Sequence, residues 1–182
     1  MIHELAPTTD PILKQEMELF DFENPSVDPV ELAHDLAQTM MENDGLGLAA
    51  NQIGIKARAF AIMGEQIIVC FNPKIVDFSD DLVYLEEGCL SFPNLYVKIK
   101  RPRKIKVRYT EPNGNTVTNV YDGITARVFQ HELDHLNGIV HTQRANRYHL
   151  EQARKQAKKV SKFAGDKPLS DEAKEVLEWL KV

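Results

Sequence analysis

The stretch His131-Glu132-Leu133-Asp134-His135 restricts what this chain can fold into more than any other. Residues four apart on a helix project from one face, so two imidazoles at this spacing can grip a single metal ion. The apolar spacing around them predicts a helix from about Gly123 to Asn137, with Ile124, Val128, His131 and His135 on one side and Gly138 as the stop. Glu132 sits at the edge of that face, where it can handle protons at a metal-bound water. The plain alternative is a surface helix with two exposed histidines. Two ligands are too few for a catalytic site, which usually has three protein ligands and an open position. The fold must therefore bring a third donor from elsewhere. His141 lies beyond the predicted stop, so Cys89, within Glu87-Gly88-Cys89-Leu90-Ser91, is the better candidate. It follows a β-type run, and Gly88 beside it allows close approach of the backbone. Its thiolate completes a Cys-His-His set; the alternative, an inert buried cysteine, is our reading of Cys70.

The surrounding pattern is that of an α+β chain. Asp28 is a candidate N-cap, Pro29 suits the first helical position and Glu31 completes a capping box. Leu32, Leu36 and Met40 then recur at helical spacing up to about Asn43. The glycines of Asp44-Gly45-Leu46-Gly47 require a sharp turn. Between Arg58 and Tyr121 come seven short β-type runs: AFAIM, IIVCF, KIVDF, LVYLEE, LYVKI, KIKVRY and TVTNVY. Their close spacing predicts antiparallel sheet. A basic helix follows from Asn146 to Lys162, then a loop at Ala164 to Pro168 and a short helix at Ser170 to Leu180. We expect one domain, with residues 1–145 as its catalytic part and 146–182 as a C-terminal helical extension.

Bulk properties exclude several classes. With 182 residues, a net charge of -5 and only two cysteines, the chain lacks both a global basic field and a disulfide framework. We expect no specific DNA binding. The opening MIHELAPTTD does not read as a secretory signal, and no apolar run approaches the ~18 residues a membrane span needs. A soluble protein of a reducing cytoplasm is expected, in a bacterium or, if phage-encoded, its host, with an organelle as the other setting.

A third segment, Gly45-Leu46-Gly47-Leu48-Ala49-Ala50-Asn51-Gln52, offers small residues for close passage of a substrate backbone and an amide donor in Gln52. Together and in order, GLGLAANQ, EGCLS and QHELDH resemble the peptide deformylase family; with SFP after Ser91 and YDGITARVFQ before His131, the likeness runs from about Pro11 to Val140. It implies an α+β fold with antiparallel sheets around the histidine helix. It implies removal of the N-formyl group from the formylmethionine of newly made chains, releasing formate, by metal-activated water. Cys89, His131 and His135 would be the metal ligands and Glu132 the general acid/base. The same resemblance implies oxyanion donors in Gln52 and the Leu90 N–H, and a substrate cleft lined by Gly45, Leu46, Gly47, Gly88 and Val128. One Fe(II) per chain is the implied cofactor, and Zn, Ni or Co also suit this donor set. Formylmethionyl nascent peptides are the implied partners; for the basic C-terminal helix, docking on the ribosome is weighed against a plain solvated helix. We also expect Arg101 and Asp134 to pair beside the site and orient the metal-bearing helix. Two rival functions stand against these: another HExxH-type zinc peptidase, and a noncatalytic ribosome-associated protein.

Overall fold

The computed structural model describes residues 1–163; the expected loop at Ala164 to Pro168 and helix at Ser170 to Leu180 lie outside them. Three α-helices are present in this span, α1 (Pro29–Glu42), α2 (Gly123–Leu136) and α3 (Arg147–Phe163). A five-stranded sheet has the order β1 (Gly47–Ala49), β2 (Ala59–Met63), β3 (Ile67–Phe78), β6 (Lys104–Thr110), β7 (Thr116–Asp122). β4 (Leu82–Cys89) and β5 (Phe92–Pro102) form a separate two-stranded sheet, and every strand pairing is antiparallel. The fold class is α+β, as the sequence pattern predicts.

The apolar run of β2 has a simple cause. Successive side chains point to opposite faces, and both faces of this strand are covered. Phe60 and Ile62 join Phe129, Ala126 and Leu136 of α2, whereas Ala59 and Ala61 join Leu32, Leu36 and Met40 of α1. Helix α1 starts where expected, with the Asp28 carboxylate accepting from the N–H groups of Val30 and Glu31 at 2.9 and 2.8 Å.

Two expectations change. IIVCF and KIVDF are one strand, β3, because Asn72 takes a left-handed conformation (φ 49°) that absorbs an irregularity in its register with β6. Its side chain holds Phe20 by both N–H and C=O, at 2.7 and 2.9 Å. The Gly45–Gly47 turn is also shorter than the glycines suggest. Asp44 makes the positive-φ step (52°), and Gly47 to Ala49 already run as strand β1 against Phe60 to Ile62.

The β4–β5 hairpin closes the other side of α2. In β5, Phe92, Leu95, Val97 and Ile99 are buried and pack with Val140 and with Ala153 and Ala157 of α3. Continuing the alternation carries Arg101 onto the same inner face, so the strand period itself buries a cation.

Candidate metal centre

Helix α2 lies between the two sheets, and the hairpin places Cys89 against its histidines. One donor atom each from Cys89, His131 and His135 lies within 4.8 Å of the others. Cys89 Sγ is 3.1 Å from His135 Nε2. Bond lengths of about 2.3 Å to sulfur and 2.0 Å to nitrogen place two tetrahedral ligands roughly 3.5 Å apart, so this arrangement fits one ion. One thiolate and two imidazoles suit a transition metal and leave a fourth position open. These three residues can hold a single divalent ion.

Glu87 fixes the orientation of the first histidine. His131 Nδ1 lies 3.0 Å from Glu87 Oε2, which leaves Nε2 for the ion. The same carboxylate accepts from Arg101 Nε and Nη2, at 2.6 and 2.9 Å, and from Arg127 Nη1 at 2.6 Å. Burial alone would raise its pKa, but the Arg101 and His131 hydrogen bonds and charges hold it well below the usual carboxylate range. Arg101 Nη1 also donates to Asp134 Oδ2 at 2.8 Å, and Arg144 donates to both Asp134 oxygens. Helix and hairpin are thus tied by a buried charge network rather than by apolar contact alone. Arg101 and Asp134 line a smaller cavity behind α2, on a different side from the cleft.

Glu132 differs in kind from Glu87. It is 3% exposed, its Oε2 has no hydrogen-bond partner, and burial pushes its pKa up to about 7. A carboxyl poised there can both accept and return a proton near neutral pH. Its position depends on Gly47: a Cβ at that residue would overlap Glu132 Oε1 and come within 2.7 Å of Val128 Cγ1. Gly45 is similarly constrained, with Leu90 Cδ1 2.8 Å from where its Cβ would stand.

A cleft of about 1080 Å3 brings most expected residues together: Gly45, Leu46, Gly47, Gln52, Gly88, Cys89, Leu90, Val128, His131 and Glu132 all line it. Leu46 is exposed, whereas Gln52 is buried (1%), with Nε2 3.6 Å from Cys89 Sγ. Residues 2–8 form a further wall.

Sequence reasoning missed Glu87, Arg127, Arg144, Ser91 and this amino-terminal wall. Glu87 left one trace, a second acid in an otherwise β-type run. Its inward parity follows only from the register with Val97. His141 is buried, tilted against His131 at a 5.8 Å centroid distance, and kept neutral by burial, its pKa lowered to about 3. It stands outside the three-ligand group. Cys70 is fully buried, and burial raises its thiol pKa well above the ordinary value, consistent with a packing role.

Comparison with known proteins agrees with this geometry. Residues 2–153 match the family model described as Polypeptide deformylase. A peptide deformylase of Agrobacterium fabrum is 39% identical over 145 residues, 76% of this chain and 84% of that protein. One from Thermotoga petrophila is 46% identical over 106 residues, 58% of this chain; the match spans 65% of that relative's length. The crystal structure of peptide deformylase from Thermus thermophilus superposes with a TM-score of 0.80 at 30% identity, covering 98% of this chain and 99% of that one.

Proposed function

Given that this chain belongs to the polypeptide deformylase family, we propose that it hydrolyses the N-formyl group of amino-terminal formylmethionine in new polypeptides, releasing formate. The observation that carries this reading is a Cys89-His131-His135 donor set, two of whose members, Cys89 and His131, line one cleft with a buried, proton-ready Glu132. A divalent ion held by those three residues would act as Lewis acid and lower the pKa of its water to about 7.

The remaining work falls to the chain's own groups. β1 is the edge strand of its sheet, so its outer edge can pair with an extended peptide passing Gly45 to Gly47. Val128 and Leu46 then flank the methionine side chain. Glu132 takes a proton from the attacking water and returns it to the amine nitrogen as the C–N bond breaks. The Leu90 N–H and the Gln52 amide hold the oxygen on which negative charge develops, where donors in a dry site matter most. Arg101 and Asp134 hold the helix that carries the ligands. No residue needs to form a covalent bond with substrate, and Cys89 serves as a ligand.

We assign Fe(II) as the working ion, with Zn, Ni or Co able to occupy the same donors. Residues 1–145 make the catalytic part. The helix beyond it carries Arg154, Lys155, Lys158 and Lys159, a basic stretch suited to ribosomal RNA. No helix among the described residues is long and apolar enough to cross a membrane; the bacterial relatives support action in a bacterial cytoplasm. Offering the metal-loaded protein formyl-Met-Ala-Ser and unformylated Met-Ala-Ser tests the reading. Formate release from the first with the tripeptide left intact supports it, whereas peptide-bond cleavage without formate supports the zinc peptidase rival.

A further inference from the structure

The Gln52 side chain is held from three directions. Its Oε1 accepts the Ala49 N–H at 2.8 Å, which turns the NH2 group toward the metal ligands. Nε2 then lies 3.0 Å from Ser91 Oγ and 3.6 Å from Cys89 Sγ. An amide NH2 has two hydrogens. Ser91 takes one, and the other makes only a long hydrogen bond to Cys89 Sγ, on the side where substrate oxygen must sit. Ser91 is itself anchored, its carbonyl accepting from Thr8 Oγ1 at 2.9 Å. The same amino-terminal segment grips Gln52 through the Ala6 N–H to Gln52 C=O bond of 2.7 Å. Thr8 and Ser91 are buried, at 5% and 3% exposure, so water cannot readily replace either hydroxyl.

We infer that Thr8 and Ser91 are positioning residues for the hydrolytic reaction: they aim the Cys89-side N–H of Gln52 at the developing oxyanion. The inference rests on the oxyanion reading of Gln52 given above. Without the Ser91 hydroxyl, the Gln52 NH2 keeps only its long contact to Cys89 Sγ and can swing about the Oε1 hydrogen bond. Without the Thr8 hydroxyl, the turn carrying Leu90 and Ser91 loses its tie to the amino-terminal wall. Both oxyanion donors then drift, and catalytic geometry tolerates only about 0.5 Å of drift.

Steady-state kinetics on metal-loaded variants, with zinc-loaded protein for NMR, test this. Gln52→Ala should lower kcat by about 10² to 10³. Ser91→Ala should lower kcat about tenfold, the low end of what supporting residues contribute, with KM and metal content unchanged. Thr8→Val should act in the same direction, and Thr8→Ser should restore the wild-type rate. In a Gln52→Ala background, Ser91→Ala should cost nothing further. One Gln52 side-chain amide proton should exchange slowly in the wild type and rapidly in Ser91→Ala. A neutral Gln52→Ala overturns the oxyanion reading and this inference with it. A costly Gln52→Ala beside a neutral Ser91→Ala, an equal Ser91→Ala loss in both backgrounds, or an unchanged amide exchange rate overturns this inference alone.

Discussion

Glu87 Oε2 and His131 Nδ1 lie 3.0 Å apart, where the buried charge network of the hairpin meets one of the three candidate metal donors. Glu87→Gln keeps the shape and removes the charge that Arg101, Arg127 and His131 share. We expect metal affinity to fall about 10- to 100-fold, the usual cost of losing such a supporting group. A chelator competition titration measures it. Unchanged affinity would mean that Glu87 serves the fold alone.

The same residue makes stability depend on acid. Its folded pKa lies below the ordinary 4.5, so its contribution is complete above that value and is lost as pH falls toward the folded pKa. The stability gap between wild type and Glu87→Gln, followed by urea denaturation, should narrow from pH 6 down to pH 3. A gap independent of pH contradicts this.

Glu132 has the opposite sign. Its folded pKa of about 7 exceeds the ordinary 4.5, so the protonated form favours the fold below pH 4.5 and that advantage is lost as pH rises through 7. In metal-free protein, Glu132→Gln should therefore be more stable than wild type at pH 8, by on the order of 3 kcal/mol at most, and nearly equal to it at pH 4. Denaturant midpoints at the two pH values decide the matter. A destabilised variant at pH 8 would show that the ionised carboxylate is compensated.

Two arginines on Asp134 should differ sharply. Arg101 is buried between Glu87 and Asp134, and Arg101→Ala removes the cation they share, leaving Glu87 to Arg127 and Asp134 to the half-exposed Arg144, at a cost of about 3 kcal/mol. The Arg144 side chain is 45% exposed, and Arg144→Ala should cost less than about 1 kcal/mol. Equal losses in thermal denaturation would refute the distinction. An Arg101→Ala variant with unaltered stability, metal content and activity would remove any role for the pair.

Gly47→Ala adds one methyl where Glu132 Oε1 stands. The carboxylate has to move by about 1 Å, a misplacement that can cost 10²-fold in rate. Metal content should not change. A variant that turns over like wild type would show that Glu132 does not need its place against β1.

Local pattern made the elements legible in the sequence. Period 3.6 marks α1 and α2, and β2 reads as an apolar run because both its faces are covered. The Cys89-His131-His135 donor cluster was legible because His131 and His135 share one helix face and Cys89 ends a β-type run. The supporting network was not, because it depends on long-range register. That Glu87, Arg101 and Arg127 meet follows from the pairing of β4 with β5 and the docking of both on α2. Thr8 reaches Ser91 across 83 positions of chain, and nothing local to either residue announces it. Asn72 hid one continuous strand as two because its left-handed turn looks like a loop signal.

The central claim is that Glu132 moves the protons in a centre held by Cys89, His131 and His135. The most direct measurement is metal content and formate release from formyl-Met-Ala-Ser for Glu132→Ala beside wild type. The account requires one bound ion per chain in both proteins and formate release only in the wild type, a loss of at least about 10²-fold, as expected for a general acid/base. A metal-replete Glu132→Ala protein that still releases formate at the wild-type rate would contradict it.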